Sequence, residues 1–286
     1  MPTSDSTESE RAKEATRRQW AERAASWREM AGARGTTWQA ATDLIIAALP
    51  TRPGMRVLDV ACGPGEPALS IAAAIAPTGG QVVATDLTPE MLATAEEHAR
   101  ERGITNITFR QADAESLPFP DDSFGAVTCR FGVMIFPDVQ RALREMRRVL
   151  APEGRVVCMV WGPPEQNAQV RPLAMVRRYV DLPQPAPDEP HRFRFSEPDA
   201  LADQLRAAGF RAVEDSLHHV AIQWHGTAAE QWEALRRNNR RMAAAITALP
   251  AERQEALTRD VLDAIRAEEG RAGGGTAAVV LATATR

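Results

Sequence analysis

Residues 57–65, VLDVACGPG, decide the fold of this chain. The apolar run that begins at Val57 shows no alternation, which is typical of a parallel strand buried on both faces. Gly63 and Gly65 have no Cβ atom, so the turn after the strand can adopt positive φ and a ligand can approach the main-chain N–H groups. Asp59 lies near the carboxyl end of the strand, where open α/β sheets bind their ligands. The stretch therefore predicts a buried strand that leads the backbone to a nucleotide-like ligand.

Strands and helices alternate on the carboxyl side of this motif. We predict strands at 55–60, 81–86, 107–113, 124–130, 154–161, 211–224 and 276–284, and helices at 66–76, 88–103 and 138–150. Alternation of this kind implies βαβ units, right-handed crossovers and a mostly parallel sheet. The expected fold class is therefore α/β, with a Rossmann-like doubly wound sheet. The arginines of the helix at 138–150 are expected to form a solvated face.

Proline, glycine and helix-capping residues divide the chain into four parts. We predict an N-terminal helical cap over 1–50, a ligand-binding Rossmann-like core over 51–161, a Pro-rich insertion or lid over 162–195, and the C-terminal part of the core sheet over 196–286. The insertion is expected to hold a short helix around 168–180, and Ser196 is the predicted N-cap of the helix that follows it. A helical excursion is expected at about 226–270, as a pair of helices over 227–248 and 251–268.

Composition excludes several classes of protein. The formal net charge of −4 gives no general reason to expect nucleic-acid binding. Three cysteines, at 62, 129 and 158, are widely spaced and form no metal-ligand pattern, so we expect no metal site and a reducing cytoplasm. No apolar run is long enough to span a bilayer. We expect a soluble cytoplasmic protein, with its oligomeric state open.

Two further acids follow predicted strands. Asp86 ends the second strand about twenty residues beyond the glycine turn, where a carboxylate can accept hydrogen bonds from both hydroxyl groups of a ribose. Leu87 and Met91 follow it and offer apolar surface to a base. Asp113 ends the third strand, where its carboxylate can accept from an amino group and the Ala114 N–H can donate to a ring nitrogen. A dinucleotide-binding protein remains an alternative at this point.

Several stretches together resemble one family. VLDVACGPGEPALSIA, ATDLTPEMLATA, ADAESLPFPDDSFGAVTCRFGVMIFPD and ALREMRRVLAPEGRVVCMVWG resemble the UbiE/COQ5-like branch of class I S-adenosylmethionine-dependent methyltransferases, over about 55–161. The first stretch contains motif I of this class, D/E-x-G-x-G-x-G, with Ala61 in place of the first glycine. The resemblance implies a seven-stranded sheet whose last strand is antiparallel, and S-adenosyl-L-methionine as the cofactor, with S-adenosyl-L-homocysteine as its product.

The resemblance also implies the residues that bind the cofactor. They lie in the glycine turn, at the ends of the second and third strands, and just past the fourth strand. The set is Asp59, Ala61, Gly63, Gly65, Asp86, Leu87, Met91, Asp113, Ala114 and Arg130.

Two alternatives stay open beside a methyltransferase. An NAD-dependent dehydrogenase would need the fingerprint G-x-G-x-x-G, which Gly63, Gly65 and Ala68 match only nominally. It would leave the acid Asp59 and the stretch ADAESLPF unexplained. A non-catalytic protein that binds S-adenosylmethionine, or serves in protein interaction, is the other alternative.

The sequence predicts a small-molecule acceptor, quinone-like or from secondary metabolism, with O-, N- or C-methylation unresolved. Methyl transfer from a sulfonium is an in-line displacement that alignment of the reactants can accelerate. Catalytic residues are unknown, and His191, His218 and His219 are the candidate general bases. His98 lies on a helix that we expect to be far from the site. Trp20 and Trp27, seven residues apart on a predicted helix over 8–31, are expected to dock that helix on the protein.

Overall fold

The fold described here comes from a computed structural model. It describes residues 14, 17, 18, 20–22, 38–50, 52–168, 170, 172–182, 186, 189–222, 226–269 and 275–286. The predicted helix over 8–31 therefore lies largely outside the described residues, as do Trp27, Trp224 and His225. The few described residues of that helix are helical.

Seven strands form one sheet in the order β3-β2-β1-β4-β5-β7-β6. They are β1 (Arg56–Val60), β2 (Gln81–Asp86), β3 (Ile107–Gln111), β4 (Phe124–Arg130), β5 (Leu150–Trp161), β6 (Arg211–Ile222) and β7 (Gly275–Thr285). Strands β1 to β5 are mutually parallel, and β7 is antiparallel to both β5 and β6. The predicted seven-stranded sheet with an antiparallel last strand is confirmed.

Nine α-helices lie within the described residues from 38 onward. They are α1 (Gln39–Ala48), α2 (Ala68–Ile75), α3 (Pro89–Glu101), α4 (Val139–Val149), α5 (Leu173–Val176), α6 (Ala200–Ala207), α7 (Ala228–Asn238), α8 (Arg240–Thr247) and α9 (Ala251–Glu269). Among them, none combines the length and the apolar composition of a membrane-spanning helix.

Two predicted helix boundaries are wrong. Ser196 is buried and is not an N-cap, because the chain turns once more and Asp199, at φ +59°, precedes α6. The predicted helix over 227–248 is two helices, since Asn239 leaves the helical conformation and its side chain accepts a hydrogen bond from the Met242 N–H, 3.1 Å away.

The centre of the sheet places the candidate site. β1 and β4 are neighbours, and the chain runs outward from them in opposite directions, to β2 and β3 on one side and to β5 on the other. Their carboxyl ends therefore form the crevice in which doubly wound sheets bind ligands. Val57 and Leu58 are fully buried, as the absence of alternation predicts. Asp59 lies opposite Thr128 of β4 in the register of the sheet.

The arginines of α4 only partly follow the prediction of a solvated face. Arg144 is exposed, whereas Arg141, Arg147 and Arg148 donate hydrogen bonds to the carbonyl groups of loops. Arg147 Nε, for example, lies 2.9 Å from the carbonyl oxygen of Gly209. These side chains tie α4 to the loops on either side of it.

The insertion and the excursion pack together as a helical layer, defined as residues 173–182 and 228–265. Its own hydrophobic cluster is separate from the core of the sheet and contains Val176, Ala228, Trp232, Met242, Ile246, Leu257, Val261 and Ile265. The Tyr179 hydroxyl group donates a hydrogen bond to Asp260 across the two segments, at 2.8 Å. The short helix expected around 168–180 is reduced to the four residues of α5.

Candidate functional site

A cavity of about 180 Å³ lies at the carboxyl ends of β1, β2 and β4. Eight of the ten predicted binding residues line it, namely Ala61, Gly63, Asp86, Leu87, Met91, Asp113, Ala114 and Arg130. The other two, Asp59 and Gly65, lie behind it. The structure thus brings together residues from the ends of four strands that are far apart in the sequence.

The glycine turn leaves open space on the cavity side. Gly63 has φ +53°, and no atom lies within 4 Å of the position that a Cβ would take. Ala61 also has positive φ, +58°, although it carries a Cβ atom. A Cβ on Gly65 would lie 2.7 Å from Leu69 Cδ1, so glycine is needed there for the packing of α2 rather than for contact with a ligand.

Asp86 holds the turn and faces the cavity. Its Oδ2 atom accepts a hydrogen bond from the Gly63 N–H and its Oδ1 atom accepts one from the Thr88 N–H, each at 2.9 Å. Burial raises the pKa of Asp86, and these amide donors act in the opposite direction. Because each carboxylate oxygen can accept more than one hydrogen bond, the side chain retains capacity for two hydroxyl groups of a ligand.

Asp59 lies within β1, opposite Thr128 of β4, and is fully buried. The Thr128 hydroxyl group donates to its Oδ1 atom at 2.5 Å, while Oδ2 has no hydrogen-bond partner among the described residues. Burial raises the pKa of Asp59 to about 7, against the opposing effects of Thr128 and of the Arg130 charge. The motif acid is therefore bonded to β4 inside the sheet instead of lining the cavity.

Arg130 supplies a cationic side chain to the cavity wall. Its Nη1 donates to Thr42 Oγ1 of α1 and its Nη2 donates to the Glu66 carbonyl oxygen, both at 2.8 Å. Burial lowers the pKa of Arg130, although the charges of Glu66 and Asp59 oppose that shift. Glu66, which also lines the cavity and forms an ion pair with Arg102, was not among the predicted residues. Its position directly after Gly65 is the sequence signal for it.

The third-strand acid is held by a turn of its own. Asp113 Oδ1 accepts a hydrogen bond from the Glu115 N–H at 2.9 Å. Glu115 was not predicted, yet it lines the cavity and is only 2% exposed. Its Oε1 atom accepts from the Asp138 N–H at 2.9 Å, so it joins this loop to the start of α4. The stretch ADAES carries it, but nothing local distinguishes it from a surface acid.

The three candidate histidines lie away from the cavity. His191 Nδ1 accepts a hydrogen bond from the Phe193 N–H at 3.1 Å, and burial together with the charge of Arg194 lowers the pKa of His191. His218 and His219, on β6, hydrogen-bond to Ser216 and Gln166. The structure brings none of the three onto the cavity wall.

His98 is closer to the site than expected. Its Nδ1 atom lies 2.9 Å from the Pro64 carbonyl oxygen and donates a hydrogen bond to it. The prediction that His98 is far from the site is wrong, because α3 returns beside the glycine turn. His98 supports the outer side of that turn.

Aromatic side chains continue the wall beyond Arg130. Phe131 and Phe136 line the cavity, and Trp20 of the N-terminal helical residues joins them. Trp38 and Trp161 instead pack behind Phe131, with ring centroids 5.3 Å from it in each case. Within the part of the chain that the structure describes, no group of three or more His, Cys, Asp or Glu side chains could hold a metal ion.

Comparison with known proteins is consistent with this geometry. The sequence model of the ubiE/COQ5 methyltransferase family matches residues 33–184. The chain is 37% identical over 188 residues to the demethylmenaquinone methyltransferase of Deinococcus radiodurans, covering 60% of this chain and 74% of that protein. It is 42% identical over 122 residues to the uncharacterized methyltransferase YcgJ of Bacillus subtilis, covering 43% and 47%.

The fold of YcgJ is also similar. Its crystal structure matches with a TM-score of 0.56 and 25% identity, covering 87% of this chain and 98% of that chain. The sequence matches are shorter than the structural match. In them, this chain spans about half the length of the first curated relatives. The resemblance inferred from the motifs is confirmed, and neither the dehydrogenase nor the non-catalytic alternative is favoured.

Proposed function

This chain belongs to the ubiE/COQ5 methyltransferase family, and we propose that it transfers a methyl group from S-adenosylmethionine to a small-molecule acceptor. The observation that carries the proposal is the convergence of eight motif residues on one cavity. Asp86 is the central member, because it both orders the glycine turn and faces the cavity.

The residues present fit S-adenosylmethionine. Asp86 would bind the ribose diol, while Leu87 and Met91 offer apolar surface to the adenine. The Asp113 carboxylate would accept a hydrogen bond from the amino group of the base, and the Ala114 N–H would donate one to a ring nitrogen. The open side of Gly63 would let the methionyl part lie against the main chain, since no atom fills the space of a Cβ there.

Arg130 would bind the methionyl carboxylate. Among the described residues that line the cavity, it is the only cationic side chain. Thr42 and the Glu66 carbonyl oxygen orient its guanidinium group, each at 2.8 Å, so its direction is set before a ligand binds. A preorganised donor of this kind strengthens binding because little side-chain entropy remains to be lost.

The cofactor supplies an electrophilic methyl group on a sulfonium when it is bound. The contribution of the protein is alignment, for which effective molarities of about 10⁵ to 10⁸ M are known. The rigid turn and the buried strand ends hold their groups in fixed positions. Phe131, Ile135 and Phe136 give the wall beyond Arg130 an apolar surface.

This apolar wall supports a quinone-like acceptor. An aromatic or isoprenoid-bearing ring would remove the exposed faces of Phe131 and Phe136 from water, and aromatic contacts add to that stabilisation. The Deinococcus relative is named a demethylmenaquinone methyltransferase, and we extend a related substrate class to this chain. An acceptor from secondary metabolism with a similar ring would fit the same surface.

Binding of S-adenosylhomocysteine tests the proposal directly. At about a hundred times its dissociation constant, the ligand should raise the free energy of unfolding by about 2.7 kcal/mol, and NAD should leave it unchanged. Asp86→Ala should abolish the effect of S-adenosylhomocysteine. Asp181→Ala, at an exposed aspartate of the helical layer, is the matched control and should bind as the wild type does. Stabilisation by NAD alone would refute the proposal.

A turnover assay then separates an enzyme from a binding protein. Demethylated quinones and other ring-bearing phenols serve as acceptors, and release of S-adenosylhomocysteine is the readout. Methylation of a quinone-like acceptor supports the proposed substrate class. Tight binding of the cofactor without turnover on any acceptor would instead support the non-catalytic alternative.

A further inference from the structure

Trp20 reaches the cofactor cavity from outside the sheet. It is half-buried, it is helical, and it lines the same cavity as Leu87, Thr88 and Met91. None of the motifs that mark the cofactor site includes it, because it precedes the glycine turn by some forty residues. Trp20 belongs to a segment separate from the sheet. Its large ring can therefore cover a ligand that is bound at the ends of the strands.

The charge of Glu90 in α3 also acts on the same helical residues. Arg17 lies three residues before Trp20, so the two side chains lie on one side of the helix. Glu14 Oε2 and Oε1 accept hydrogen bonds from Arg17 Nε and Nη2, at 2.9 and 2.8 Å. Glu14 is the main cause of the raised pKa of Arg17, and the charge of Glu90 in the first turn of α3 also raises it.

Glu90 and the part of the cavity wall that Trp20 lines are neighbours in the fold. Glu90 immediately precedes Met91, which is itself on the cavity wall beside Leu87 and Thr88. Trp20 thus lies where the chain passes from Asp86 into α3. This is the part of the cavity that the ribose and adenine would occupy.

We propose that Trp20 is a cofactor-binding residue whose indole ring closes the cavity over bound S-adenosylmethionine. The inference rests on the proposed function, because it requires that the cavity bind this cofactor. An indole ring on this wall removes ligand surface from water, and the ligand leaves only when the ring moves aside. Its loss should therefore weaken binding mainly through faster dissociation.

The test compares variants by the dissociation constant and dissociation rate of S-adenosylhomocysteine, measured without turnover. Trp20→Ala should raise the dissociation constant about tenfold or more, and Trp20→Phe, which keeps an aromatic ring, by less than about threefold. Arg18→Ala is the matched control, since Arg18 also pairs with Glu14 but does not line the cavity. It should change neither quantity.

Trp20→Leu keeps the proposal testable if Trp20→Ala fails to fold. Leucine fills part of the same space without an aromatic ring, so this variant should raise the dissociation constant of S-adenosylhomocysteine more than Trp20→Phe does. Equal affinity of Trp20→Leu and wild type would refute the role of the indole ring.

The outcomes separate this inference from the proposed function. If wild type binds S-adenosylhomocysteine and Asp86→Ala does not, but Trp20→Ala keeps the affinity and dissociation rate of wild type, the role of Trp20 is refuted and the proposed function stands. If wild type shows no binding, both proposals are overturned.

Discussion

The buried carboxyl group of Asp59 should make the stability of this protein depend on pH. The side chain is fully buried, and burial raises its pKa from an ordinary value of 3.8 to about 7. Each pH unit between two pKa values is worth about 1.4 kcal/mol. The rise of about three units in the pKa of Asp59 therefore corresponds to about 4 kcal/mol as an upper bound. Asp59→Asn keeps the size of the side chain and the oxygen that accepts from Thr128, and it removes the titration.

The direction follows from proton binding. In the unfolded chain Asp59 loses its proton near pH 4, whereas in the folded protein it retains the proton up to about pH 7. The folded state therefore binds more protons between these values, so the free energy of unfolding of wild type falls as the pH rises through this range. This contribution is absent from Asp59→Asn. The difference in stability, variant minus wild type, should grow by up to about 3 kcal/mol between pH 5 and pH 8.

Urea denaturation of both proteins at several pH values measures this difference. Asp181→Asn, at an exposed carboxylate, is the control and should follow the wild-type curve. The comparison uses the change with pH, so any constant effect of the new amide group cancels. Parallel curves for wild type and Asp59→Asn would refute the argument, since they would mean that the carboxyl group titrates alike in the folded and unfolded states.

Three further substitutions test the packing of the site and of the helical layer. Ala61→Gly should raise the free energy of unfolding, measured by urea denaturation, by about 1 kcal/mol. Glycine adopts the positive φ of +58° at this position without the steric strain of a Cβ atom. A loss of stability would contradict strain at this turn. Gly132→Ala should lower it by about 1–3 kcal/mol and weaken binding of S-adenosylhomocysteine, since the new Cβ would lie 2.6 Å from Cys129 Sγ. Unchanged stability and affinity would show that the cavity wall accommodates the added methyl group without strain. Leu257→Ala, at a fully buried position of the helical layer, should cost about 2–5 kcal/mol. A smaller loss would mean that the layer lacks a packed core.

The cofactor side of the fold was predictable because its signals are local. A strand buried on both faces, a glycine that leaves space for a ligand, and an acid at a strand end each occupy a few consecutive residues. Asp86 shows this best, since the strand QVVATD alone places its carboxylate at the carboxyl edge of the sheet. The order of the strands then brings such ends together, as βαβ units require.

Contacts between distant segments were not predictable in this way. Glu115, His98 and Trp20 reach the site or its supports only because loops and helices return to it, and each resembles an ordinary surface or packing residue in the sequence. Arg147 illustrates the same limit, because its carbonyl partner at Gly209 lies 62 residues away. The pairing of the insertion with the excursion into one helical layer likewise has no local signal.

During synthesis of the chain, strand β6 has no partner strand until β7 has been made. In the described sheet β6 pairs with β7 alone, and β7 emerges from the ribosome only after α7, α8 and α9. Until then both edges of β6 are open, a state that invites association with other nascent chains. Charged and polar side chains such as Glu214 and His219 along this strand lower that hazard. The emergence of β7 thus adds two strands to the sheet at once, and an interruption before it would leave β6 without any partner strand.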